Sequence, residues 1–155
     1  MALKGDRAEL VQDIGWWMNE AAERGGIVSV STVGSGTAID QATQLCTYLA
    51  TVPSGRLLPG LLLNDMVDID TARQHVNFHK NEVLKGRPVT LLQKGWVTTD
   101  MIHYQCTPAA SNTAYVAESG LLHNVDNGNT AGKVGRFGST KDEDGYAKVY
   151  IDLPN

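Results

Sequence analysis

The last stretch of the chain alternates cleanly between apolar and polar positions. Ala147, Val149, Ile151 and Leu153 point one way; Tyr146, Lys148, Tyr150 and Asp152 point the other. A period of two is the mark of a strand with one buried face. Before it stands Lys141-Asp142-Glu143-Asp144-Gly145, a charged segment ending in Asp-Gly, a pair that accepts the positive φ of a tight turn. Before that, residues 134–137 form a short run interrupted by Gly135. The pattern predicts a β-hairpin that closes the fold.

Upstream, residues 27–33 (IVSVSTV) predict a strand, residues 44–51 another, and residues 57–63 form the most apolar run. Pro59 in that run cannot donate to a ladder, so it belongs at an edge or a bulge. Residues 64–70 alternate again. Residues 88–92 and 96–102 read as two strands paired around Lys94-Gly95. Residues 113–117 and 121–125 flank Ser119-Gly120, and Asn127-Gly128 marks a further turn. From residue 86 onward short strands and glycine turns recur about every ten residues, the rhythm of a small barrel or sandwich.

Two segments are less direct. Residues 10–22 fit a helix through Leu10, Ile14, Trp17, Met18 and Ala21, or a strand through Ile14, Trp16 and Met18. Gly15 disfavours the helix by about 1 kcal/mol, and tryptophan favours strands, so the strand reading is preferred. Residues 71–86 (TARQHVNFHKNEVLKG) are polar and too long for a hairpin turn; long excursions in small domains tend to be functional. The expected fold is mainly β: a small β-barrel or β-sandwich module over about 86–155 within a single domain over 1–155, with an N-terminal arm at 1–9 and the long polar excursion near 71–86.

Composition narrows the function. The chain has 155 residues, a length at which a real core forms without metal or disulfide. The net charge of −4 leaves no basic footprint, so nucleic-acid binding is not expected. No apolar run reaches the roughly 18–20 residues of a membrane span, and the N-terminus lacks a signal-peptide core. A cytosolic site of synthesis is expected, with Cys46 and Cys106 as free thiols.

Catalytic patterns are weak. His75 and His79 would share one face of a helix, as zinc ligands do, but no glutamate follows His75 in the zinc-protease manner. The pair fits a polar surface segment as well. Asp65, Asp68 and Asp70, or Asp142, Glu143 and Asp144, offer oxygens to a hard cation without EF-hand spacing. Gly34-Ser35-Gly36 lacks the lysine of a phosphate loop, and no serine stands in a nucleophile elbow. The expectation is a non-enzyme without cofactor or metal. Trp16-Trp17-Met18 is a dense apolar cluster, and adjacent strand residues face opposite sides, so one tryptophan enters the core and the other either marks an interface or is covered by neighbouring strands or a long loop. The candidate partner-contact residues are Trp16, Trp17, Met18, Arg73, His75, Phe78 and His79, on reaching segments at 1–20 or 71–86.

Several stretches together resemble the capsid decoration (cement) proteins of tailed bacteriophages: MALKGDR at 1–7, AERGGIV at 22–28, GLLLNDMVDID at 60–70, Arg73-Gln74-His75, VTLLQKGWVTTDMI at 89–102, TPAASNTAYVAESGLL at 107–122 and VGRFGSTKDEDGYAKV at 134–149. The resemblance runs over nearly the whole chain and rests on patterns rather than catalytic signatures. It implies a structural virion protein, made in the bacterial cytoplasm and bound to the outer surface of the head. There it would form a homotrimer that clamps neighbouring major capsid subunits against internal DNA pressure. Two other readings stand beside it. One is a head-fibre, tail or baseplate component that recognises host glycans through Trp16, Trp17 and Trp96. The other is a small metal-dependent hydrolase using His75 and His79.

Overall fold

The computed structural model describes residues 3–32, 44–53, 55–63, 82–126 and 132–153. The fold is mainly β. Its strands are β1 (Ala8–Met18), β2 (Ala22–Glu23), β3 (Ile27–Thr32), β4 (Leu45–Thr47), β5 (Gly60–Leu62), β6 (Glu82–Val83), β7 (Pro88–Thr99), β8 (Thr113–Val116), β9 (Leu122–His123), β10 (Lys133–Phe137) and β11 (Ala147–Asp152). Nine of them form one sheet in the order β1-β4-β3-β5-β7-β11-β10-β8-β9, and β2 and β6 pair separately. β1 also pairs with β7. The strands β1, β4, β3, β5 and β7 therefore close into a ring, while β11, β10, β8 and β9 extend from β7 as an open sheet. The sheet is thus not a clean barrel.

This arrangement explains why some strands alternate in sequence and others do not. Two apolar clusters lie on opposite sides of β3, β5 and β7. Ile27, Leu61 and Leu92 enter one; their chain neighbours Val28, Leu62 and Leu91 enter the other. A strand buried on both faces reads as a continuous apolar run, and residues 57–63 are such a run. Every strand of the ring contributes to the second cluster: Trp16 and Met18 from β1, Val28 from β3, Cys46 from β4, Leu62 from β5, and Val89 and Leu91 from β7. The first cluster takes the inward side of the open sheet, with Phe137, Val149 and Ile151. β11 has only one buried face, and its pattern alternates as expected: Ala147, Val149 and Ile151 in, Lys148, Tyr150 and Asp152 outward.

The closing hairpin forms as its sequence predicts. β10 and β11 pair antiparallel through Gly135↔Ile151, Arg136↔Tyr150 and Phe137↔Val149. Asp142 holds the turn: its Oδ1 accepts the Asp144 N–H at 3.0 Å and the Tyr146 N–H at 2.8 Å. Those two hydrogen bonds use the carboxylate to cap backbone, so the acidic tip serves as a turn. Lys4 Nζ donates to Asp142 Oδ2 at 3.1 Å. The N-terminal segment is tied down close by, with Leu3 fully buried and bridged to Thr99.

One local expectation is corrected. Residues 88–99 do not turn back at Lys94-Gly95; they form one twelve-residue strand. Gly95 has φ 146°, and a Cβ there would stand 2.1 Å from the Ala8 carbonyl oxygen. The glycine admits the close approach of β1 at a bulge, which a local reading cannot tell from a turn. The strand expected over 44–51 is also shorter, only Leu45–Thr47.

Candidate interaction surface

Among the described elements, β1 turns the most large apolar side chains outward. From Ala8 to Trp16 its partner among the described residues is β7, and it meets β4 only at Trp17 and Met18. The ladder with β7 is irregular between Glu9 and Val11, between Val11 and Gln12, and between Asp13 and Trp16. The last irregularity has a visible cause. Asp13 Oδ1 accepts the Gly15 N–H and its Oδ2 accepts the Trp16 indole N–H, each at 2.9 Å. The extra residue breaks the period of two. Trp16 and Met18 turn into the second cluster, while Ile14 is left 76% exposed and Leu10 78%. Val11 between them is 42% exposed. Among the described residues, the side of β1 away from β7 is thus unpaired over Ala8–Trp16, and Leu10, Val11 and Ile14 are exposed along this strand. Edge strands of soluble proteins normally carry charge, proline or a cover.

The outward side of β7, β11 and β10 has a different chemistry. Lys148 Nζ lies 3.7 Å from the centre of the Trp96 ring and 5.6 Å from that of Tyr150. The Arg136 guanidinium lies 5.2 Å from the Tyr150 ring. The rings hold these cations in place by attraction to their negative faces. Next to them is an open cleft of about 470 Å³ lined by Ser111, Thr113, Lys133, Arg136, Tyr150 and Asp152. Asp152 is already paired with Lys94 at 3.2 Å. Because Lys148 covers one face of Trp96, that indole is a poorer stacking platform for a sugar than its sequence context suggests.

A third feature is a polar group inside the fold. His103 and His123 are both buried, with ring centres 5.0 Å apart. His103 Nε2 and Glu118 Oε1 are 2.8 Å apart. Burial pushes the His123 imidazole pKa below its ordinary value, helped by His103 and Lys141 and opposed by Glu118. Glu118 is held below the usual carboxylate range, chiefly by a backbone hydrogen bond at its own residue and then by His103. Among the described residues, no three His, Cys, Asp or Glu gather as metal ligands. Cys46 and Cys106 are free and buried, in different clusters.

The residues proposed from sequence as contacts fall in three places. Trp16 and Met18 are core residues of the second cluster. Trp17 is half-buried, opposite Leu45 and Pro88. Arg73, His75, Phe78 and His79 lie outside the described residues, as do Asp65, Asp68, Asp70 and the Gly34-Ser35-Gly36 turn. Sequence reasoning missed Leu10 and Ile14 as exposed positions. The signal available was Asp13-Ile14-Gly15: an acid two residues before a glycine can cap its N–H and bulge the strand.

No protein-family model matches the sequence, and no curated protein matches it. Among solved structures, the chain is similar to the head fibre gp8.5 N base of bacteriophage phi29. The two share 10% identity with a TM-score of 0.48, over 94% of this chain and 98% of that one.

Proposed function

We propose that this chain is a non-enzymatic structural protein of the tailed-phage virion. In this reading it sits on the outer surface of the head as a homotrimer and clamps neighbouring major capsid subunits against the pressure of packaged DNA. The observation that carries the reading is the β1 edge, where Leu10 and Ile14 are more than three-quarters exposed beside backbone that, among the described residues, pairs on one side only. Such an edge suits a protein partner, through apolar burial and through addition of a strand. The resemblance to decoration proteins supplies which partner. Burying Leu10 and Ile14 would contribute about 1.5–3 kcal/mol each. That is modest per copy, but many copies on one shell multiply it through avidity.

The test is copy number in purified particles, by quantitative mass spectrometry against the major capsid protein. A ratio near one to one supports the lattice role. A few copies per particle would move the chain to a head fibre, tail or baseplate, and absence from particles would discard every virion role. A second measurement addresses the edge itself. The double variant Leu10→Asp/Ile14→Asp is expected to bind expanded heads about a hundredfold more weakly than the parent, from roughly 3 kcal/mol of lost burial. Unchanged binding would remove β1 as the contact.

A further inference from the structure

We infer that the chain associates with copies of itself head to tail, the acidic hairpin tip of one copy seating in the cationic cleft of the next. This deepens the oligomer named in the proposed function and identifies its contact.

The cleft has cations without carboxylate partners. Among the described residues neither Lys133 nor Arg136 forms an ion pair, and Arg136 is steadied only by the Tyr150 ring at 5.2 Å. The one acid on the cleft wall, Asp152, is taken up by Lys94. Ser111 and Thr113 add hydroxyl donors at the same wall. Among the described residues, Lys94, Lys133, Arg136 and Lys148 thus stand against one carboxylate, Asp152, on this side of a chain whose net charge is −4. The side is basic in an acidic protein.

The tip is the complement. Glu143 and Asp144 are exposed, and neither carboxylate has an ion pair among the described residues. Their backbone is fixed in advance. Asp142 accepts from Asp144 and Tyr146, the Gly145 N–H donates to the Asp142 carbonyl at 3.1 Å, and Lys4 secures Asp142 from the side. A pre-formed tip loses little freedom on docking.

Tip and cleft belong to the same hairpin but lie apart along it. The cleft is lined along β10 from Lys133 to Arg136, and the tip lies beyond Phe137, at residues 142–145. A tip that cannot reach its own cleft can reach that of a neighbour. Two different surfaces then meet at each contact, the heterologous geometry that generates rings when the rotation closes. The contact sits at the rim of the molecule, so salt should weaken it.

Sedimentation of the full chain in solution, without heads, tests this. At low ionic strength the wild type is expected to form an oligomer. Reversing the cleft (Lys133→Glu/Arg136→Glu) or the tip (Glu143→Lys/Asp144→Lys) should each weaken association about tenfold or more, through like-charge contact. The chain carrying all four reversals has a basic tip and an acidic cleft, and should associate again. That rescue also excludes misfolding as the cause of the losses. A wild type that is monomeric at low salt, an oligomer untouched by either reversal, or a folded four-fold variant that stays monomeric would each overturn the inference. A monomer that still loads onto heads would overturn this contact and leave the head-binding reading standing. An oligomer absent from particles would do the reverse.

Discussion

Replacing Gly135 by alanine should come close to unfolding the protein, and the reason can be followed atom by atom. Gly135 is paired with Ile151 on one side and Ala114 on the other, in the middle of the open sheet. Its φ is 157°, and a Cβ would stand 1.8 Å from the Tyr150 carbonyl oxygen and 2.9 Å from the carbonyl carbon. Those atoms are backbone, so no rotamer change relieves the overlap; β10 must separate from β11. Three cross-strand pairs depend on that contact. Each lost hydrogen bond costs about 0.5–1.5 kcal/mol. Phe137 and Ile151, both buried in the first cluster, would be partly uncovered, at about 1.5–3 kcal/mol for a whole side chain. The expected loss is roughly 4–6 kcal/mol, against the 5–15 kcal/mol of a typical domain. Gly145→Ala is the control. Its φ is 87°, with nothing within 4 Å of the added Cβ, so only the left-handed backbone penalty of about 1–2 kcal/mol applies. Urea unfolding of both variants, read from midpoint and slope, separates the two costs. A Gly135→Ala protein within about 1 kcal/mol of Gly145→Ala would show that β10 and β11 are not packed as described.

Two further outcomes concern pH. Burial pushes the Cys46 thiol from 9.0 up to about 12. The unfolded chain therefore loses this proton first, and the thiol's contribution, full below pH 9, is lost as pH rises toward 12. The slope is about 1.4 kcal/mol per pH unit in that window. Cys46→Ala should flatten part of the alkaline decline in urea-measured stability; an identical decline would refute the assignment. The sign is opposite for His123, whose pKa lies below 6.5 in the fold. Its neutral form stabilises the protein above pH 6.5, and that contribution is lost as pH falls from there through the folded value. His123→Gln should remove this part of the acid slope, and titration of the His123 ring by NMR at or above its ordinary value would contradict it.

The sequence carries the fold best where one strand's environment is set by its near neighbours. β11 alternates because one face meets the core and the other meets solvent, and its turn residues stand beside it. The apolar runs at Ile27-Val28, Leu61-Leu62 and Leu91-Leu92 also report truly, since both faces of those strands are covered. Local pattern fails where a distant strand decides. Gly95 reads as a turn because nothing near it reveals that Ala8, nearly ninety positions earlier, will lie against it. Ile14 reads as core because the bulge that turns it outward depends on where Asp13 meets Leu91 and Trp16 meets Val89. The surfaces obey the same division. Lys148 and Tyr150 are legible as outward positions of an alternating strand. The cleft is not, because Ser111, Lys133 and Tyr150 come from three segments brought together only by the order β11-β10-β8. The exposed apolar positions of β1 are, for the same reason, ones that look like core: Ile14 fits the buried stripe of either a helix or a strand over 10–22, and the register of β1 on β7 leaves it and Leu10 turned outward.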